Sequence, residues 1–279
     1  DLLITLIAKS IAIDVVYIQH GMYIEFMKRT SSFFVSQFLK TTRYFGYAVR
    51  VAMLLKSPSL LLNLIAVHIF GKPRSVLTQY PFYPDLCWVY TQYWQDWHIQ
   101  KYGFPSQLAY SFFTFPDFIR FESRPERKDR VLYVYQTLVE DGRISPAIMD
   151  EFYFNLLRQG TRMGVSVIVK GHPRMSSIYR TYFGQANIEV VEEYVPLTDI
   201  VIGHYSTLLG FCGTKGSKVV CIPLEGHIIP ESFAWANQVG RVEDLQLRLM
   251  VSNVEGASEI FGSIDSKLVA PQCFIDGEI

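Results

Sequence analysis

Between Glu25 and Asp85 the sequence has no acidic residue, although the whole chain sets 26 Lys and Arg against 26 Asp and Glu. That overall balance removes any global electrostatic case for nucleic acid, whose binding rests on neutralising phosphates. Charged residues of both signs make up 19% of the chain, a low share for a soluble protein. Cysteine is scarce. The four present (Cys87, Cys212, Cys221, Cys273) have no CxxC spacing, and three sit inside apolar or aromatic runs. They read as reduced core residues, because disulfide frameworks belong to small secreted domains. No apolar stretch is long and clean enough to span a bilayer: Lys56, Pro58 and Asn63 interrupt the best one. The chain opens on Asp1 and an apolar run, without the basic n-region and cleavage site of a signal peptide. The expectation is a fragment whose first strands and helices are missing. There is no internal repeat and no low-complexity segment.

What is abundant is apolar material, 49% of 279 residues with aromatics at 15%, enough for two modest domains or one large one. Residues 1–24 read as a helix and a short buried strand, Val15 to Ile18, ending in Gln19-His20-Gly21. Residues 26–84 carry eight cations (Lys28, Arg29, Lys40, Arg43, Arg50, Lys56, Lys72, Arg74) among aromatic and aliphatic residues. That mixture suits helices lying on an anionic membrane surface. An ordinary helical insertion, or contact with an anionic glycan, uses the same residues. Leu86 to Tyr90 is a strand and Trp94 to Tyr102 a helix closed by Gly103. The polar stretch 122–130 is the one dense charge cluster, and a domain boundary is placed there.

After it the pattern becomes repeated βα units. Val131 to Tyr135, Val165 to Val169, Ile188 to Val191, Ile200 to Ile202 and Lys218 to Ile222 are Val- and Ile-rich, as strands buried on both faces of a parallel sheet are. Pro146 to Gln159 is a helix with Ser145 at the N-cap. The fold class is therefore α/β, with two Rossmann-like domains facing a cleft: residues 1–121, incomplete and carrying the 26–84 insertion, and residues 131–265.

Three polar clusters each follow one of these strands: Gln136 to Gly142, Lys170 to Arg174, and Gly203 to Thr207. In a doubly wound sheet such loops share one rim and can face one ligand. Asp141, held by a turn before Gly142, suits a general base. His172, stiffened by Pro173, preceded by Gly171 and flanked by Lys170 and Arg174, can donate to a phosphate oxygen. Ser206 and Thr207 open a helix whose free N–H groups suit an anion. Each has a plainer reading: a turn, a capped loop and an N-cap. His20 is a fourth candidate. His68 and His98 read as packed side chains and Glu192-Glu193 as a solvated pair. Gly210, Gly213 and Gly216 read as a helix-ending loop rather than a dinucleotide fingerprint.

Glu140-Asp141-Gly142, Lys170-Gly171-His172-Pro173 and Ser206-Thr207 together resemble the three motifs of bacterial sialyltransferases. The run Gln136 to Gly142 is especially similar to the lipooligosaccharide sialyltransferases and capsular polysialyltransferases. It departs at Thr137-Leu138, where a Pro is expected between Gln and Leu. The likeness covers mainly residues 131–225, with a weaker echo at Tyr17 to Gly21 and Tyr102-Gly103. It implies a GT-B glycosyltransferase that transfers sialic acid, or a related acidic sugar, with inversion from a CMP donor to a glycan hydroxyl of capsule or lipooligosaccharide. It further implies Asp141 as base, His172 at the CMP phosphate, and Ser206 and Thr207 on that phosphate with Lys170, Gly171, Pro173 and Arg174 around it. No cofactor beyond the donor substrate is expected. No Asp-x-Asp triplet occurs, so no obligatory metal is expected either. The expected location is cytoplasmic, peripheral on the inner face of the plasma membrane. Two alternatives stay open. One is a CDP-glycerol or CMP-Kdo type of capsule or teichoic-acid transferase, with His20 as base. The other is a non-catalytic adaptor of capsule assembly.

Overall fold

The computed structural model describes residues 5, 8–9, 11–19, 31–54, 56, 61–62, 84–102, 104, 106, 108–112, 120–122, 127–224 and 228–262. His20, Gly21, His68, Cys273 and much of 26–84 lie outside them.

Two all-parallel sheets organise these residues. The first has the order β1-β2-β3, built from Val16–Ile18, Leu86–Val89 and Ala109–Phe112. Helix α1, Ser31–Leu54, lies between β1 and β2 in the chain. Helix α2, Gln92–Trp97, follows β2 and runs into a π-helical turn, His98–Tyr102. No helix among the described residues is long and apolar enough to cross a membrane.

The second sheet has six strands in the order β6-β5-β4-β7-β8-β9. They are β4 Arg127–Val134, β5 Ser166–Lys170, β6 Glu189–Val191, β7 Thr198–Gly203, β8 Lys218–Cys221 and β9 Asn237–Gln238. The Val and Ile runs sit in the middle of this sheet, and Leu132, Tyr133, Val169, Val201, Ile202 and Val220 have no exposed surface. Between the strands run α3 Pro146–Met163, α4 Ser177–Gln185 and α5 Thr207–Thr214. Ser145 does occupy the N-cap of α3, but its hydroxyl makes no capping bond; Gly164 ends the helix at φ 67°. A left-handed residue there is costly for any side chain but glycine.

Two sequence boundaries move. β4 starts at Arg127, so charged residues 127–130 belong to the sheet rather than to a linker, and Arg130 pairs with Glu189 across it at 2.8 Å. Gly210 and Gly213 lie inside α5, not in a loop. A Cβ at Gly210 would fall 2.3 Å from Phe261, and one at Gly213 would fall 2.6 Å from Trp235. Gly210 lets the Phe261 ring of α6, Val254–Phe261, lie against the α5 backbone, and Gly213 does the same for the Trp235 ring.

That helix also joins the two sheets. The Ile260 carbonyl accepts the Trp94 indole N–H at 2.8 Å and the Thr91 hydroxyl at 3.1 Å. Tyr90 stacks edge-on against Phe211, and Cys87, Val89, Tyr90 and Trp94 join the core of the six-stranded sheet. Cys87, Cys212 and Cys221 are buried free thiols. His98 is packed as the sequence indicated: buried, with Nδ1 2.6 Å from the Trp94 carbonyl.

Candidate active site

The strand order places β4, the first strand of the second sheet, between β5 and β7. The chain winds outward through β5 and β6, then returns to the other side of β4 and winds outward again. The reversal falls between β4 and β7, and ligands of such sheets bind outside the carboxyl ends of the strands at that point. The three polar clusters are the loops that leave β4, β5 and β7, so they occupy one edge.

The loop after β4 is a tight turn closed by its own backbone. Asp141 N–H donates to the Thr137 carbonyl and Gly142 N–H to that of Val139, both at 2.9 Å. Gly142 takes φ 66°, which a side chain rarely tolerates. Buried Leu138 anchors the turn beneath. The two acids of the turn have different partners. Glu140 accepts the Tyr135 hydroxyl and, at 2.9 Å, the Ser176 N–H at the start of α4. It ties the loop to the helix. Asp141 instead faces cations: Arg174 Nη1 donates to Oδ1 at 2.9 Å, and Arg143 Nη2 stands 3.7 Å from Oδ2.

Arg174 closes a ring. Its Nη2 donates to Thr137 Oγ1 at 3.0 Å, and that hydroxyl donates to Asp141 Oδ2 at 3.2 Å. The loop after β5 is thereby fixed to the loop after β4. His172 is half-buried on the same loop, and its Nδ1 accepts the Arg174 backbone N–H at 3.1 Å. An accepting Nδ1 leaves the proton of the neutral ring on Nε2. Burial first, then the Arg174 charge, holds the imidazole pKa below its ordinary value, against the opposite pull of Asp141 and Glu140. Pro173 is exposed beside it.

Two neighbours are committed elsewhere. Lys170 Nζ donates to the Glu192 carbonyl at 2.5 Å, beyond β6, and desolvation lowers its pKa. A Cβ on Gly171 would lie 3.0 Å from Glu192 Cγ and 3.1 Å from Val190. The glycine therefore lets the end of β6 come close. Glu192 and Glu193 are both exposed, and Arg180 pairs with Glu192 at the surface. The open depression along β6, lined by Arg180, Gly184 and residues 188–194, includes none of Asp141, His172 and Ser206.

The loop after β7 is held to the first by the side-chain amide of Gln136. Tyr205 N–H donates to Gln136 Oε1 at 2.9 Å, and Gln136 Nε2 donates back to the Tyr205 carbonyl. These two hydrogen bonds span the switch point. Burial pushes the Tyr205 phenol up to about 12, and Arg143, hydrogen-bonded to it, pulls the other way. Arg143 thus stands between Tyr205 and Asp141. His204 is buried, with Nε2 3.0 Å from the Tyr133 hydroxyl and Nδ1 2.8 Å from the Ile222 carbonyl. Ser206 is the N-cap of α5, accepting the Leu208 N–H at 3.2 Å; its own O–H can still donate. Thr207, the next residue, opens the helix whose Phe211 ring packs against Tyr90 from the end of β2. The carboxyl ends of the two sheets meet there.

Gln136, Thr137 and Tyr205 lie in the polar clusters but were given no role of their own, and Arg143 lies just outside them. Among the described residues, no three His, Cys, Asp or Glu side chains are close enough to share a metal ion. What the edge offers is a carboxylate between two guanidiniums, an imidazole N–H, a serine hydroxyl and a helix N-terminus. Such a set can take up a proton and receive an anion.

No protein-family model and no curated protein matches the sequence. Among solved structures the chain is similar to the Spinosyn Forosaminyltransferase SpnP, at 13% identity and a TM-score of 0.36 over 78% of this chain. The match spans 54% of that protein, about half its length. A likeness this distant fixes neither family nor substrate.

Proposed function

We propose that the chain is a GT-B glycosyltransferase of two Rossmann-like units, residues 1–121 and 131–265, that moves sialic acid or a related acidic sugar from a CMP donor to a surface glycan. Its place of action on this reading is the cytoplasmic face of the plasma membrane, in capsule or lipooligosaccharide synthesis. The observation that carries the reading is the ring Thr137–Asp141–Arg174 beside His172, on the loops after β4 and β5, next to the point where the strand order reverses. A nucleotide phosphate needs donors and an acceptor hydroxyl needs a base, and both are within that one edge.

The chemistry runs as follows. Asp141 takes the proton of the attacking hydroxyl, whose oxygen forms the new bond to the anomeric carbon as the bond to the CMP phosphate breaks. The departing phosphate gains negative charge. His172 Nε2–H and the Ser206 hydroxyl donate to it, and the α5 N-terminus faces it with its partial positive charge. In the free protein Arg174 holds Asp141 in place. The leaving charge is met without a metal.

The test is release of CMP from CMP-sialic acid by the purified protein, with and without a glycan acceptor. Asp141→Ala should abolish acceptor-dependent release, and His20→Ala should leave it. The reverse pattern moves the base to His20 and favours a CDP-glycerol or CMP-Kdo type of transferase. No release from any CMP donor favours the non-catalytic adaptor.

A further inference from the structure

The long helix α1 carries a surface that the proposed transfer reaction does not use. Ala48, Val51 and Ala52 are buried and mark its inner side. On the outer side Arg43, Tyr47, Arg50 and Leu54 follow one another at i, i+4, i+7 and i+11, which is a single stripe of an α-helix. Tyr47 is 57% exposed, Leu54 63% and the adjoining Met53 73%; Arg43 and Arg50 are exposed too. Lys56, just past the helix, is exposed, and so is Leu62 at 71%. The stripe therefore alternates cations with large apolar side chains. The sequence around it, residues 26–84, contains no acid to neutralise it. Among the described residues, no ion pair engages Arg43, Arg50 or Lys56.

We infer that this face of α1 docks on an anionic phospholipid bilayer. Two features select that occupant. Cations without acids are complementary to an anionic leaflet, and each near the surface raises partitioning about fivefold. Tyr47, Met53 and Leu54 would remain in water against an anionic polysaccharide, whereas the headgroup boundary of a bilayer accepts them. The long stems of Arg43 and Arg50 lie along apolar groups while their heads reach phosphate. The inner side stays with the protein, so the helix lies on the membrane rather than crossing it.

The experiment is flotation of the full chain with phosphatidylcholine vesicles, with and without phosphatidylglycerol. Binding should require phosphatidylglycerol and weaken with salt. Arg43→Gln with Arg50→Gln should lower binding to anionic vesicles about 25-fold. Tyr47→Ser with Met53→Ser should also lower it, at unchanged Tm and circular dichroism, because these side chains are exposed. Equal binding to neutral and anionic vesicles overturns the inference, as does wild-type flotation of both double variants. Absence of flotation combined with retention on an immobilised anionic polysaccharide assigns the stripe to a glycan and overturns it too.

Discussion

Removal of the Arg174 guanidinium separates stability from positioning. Its side chain is 63% exposed and that of Asp141 21%, with Nη1 to Oδ1 at 2.9 Å. A pair in that setting contributes no more than about 1 kcal/mol to folding, since solvent screens it and a long side chain must be held in place. The expected loss of Tm in Arg174→Ala is therefore about 2–4 °C. Turnover should suffer far more. Without Arg174, Asp141 keeps only Thr137 and the more distant Arg143 as partners, and a base displaced by about an ångström costs on the order of a hundredfold. The backbone N–H that fixes His172 Nδ1 survives the substitution, so the imidazole keeps its tautomer. Arg174→Lys retains the charge but cannot bridge Asp141 and Thr137 as the planar fork does, and should recover only part of the rate. The assay is CMP release at saturating donor beside a thermal melt. Turnover within threefold of wild type refutes the reasoning, and so does a Tm loss large enough to unfold the protein at the assay temperature.

Other consequences are as concrete. Gly210→Ala should destabilise the fold by about 1–2 kcal/mol, because displacing the buried Phe261 ring costs more than the helix propensity gained; a urea midpoint at or above wild type contradicts it. The His172 pKa is lowered in the folded chain, so the unfolded chain takes the proton first. The stability due to neutral His172 is full above about pH 6.5 and is lost as pH falls below it, a loss that His172→Gln should not share in urea titrations across that range. CMP at a hundredfold excess over its Kd should stabilise the protein by about 2.7 kcal/mol. UDP and GDP at the same concentration should not, and equal shifts from all three would remove the case for a cytidine donor.

The strands of the second sheet are legible because Val and Ile runs such as Val131 to Val134 are buried on both faces, and burial of that kind leaves its mark on local composition. The start of β4 at Arg127 is not legible, since charged side chains at a strand's end resemble a loop. Gly210 and Gly213 mislead for another reason: the ring each must admit, Phe261 or Trp235, lies tens of positions further along the chain. Within the candidate site, chain chemistry identifies the loops but not their wiring. Gln136 meets Tyr205 69 positions away, and Arg174 meets Asp141 33 positions away. Nothing in either local sequence announces the other. Lys170 and Gly171 read as parts of a phosphate site because His172 follows them, yet the immediate physical demand on both comes from Glu192 beyond β6.

The central claim is that His172 serves a departing phosphate, and one rate tests it most directly. His172→Ala should fold, because the side chain is half-buried on a loop and supports no other element, while CMP release at saturating CMP-sialic acid should fall about a hundred- to ten-thousandfold. A folded His172→Ala protein that turns over donor near the wild-type rate would contradict the account.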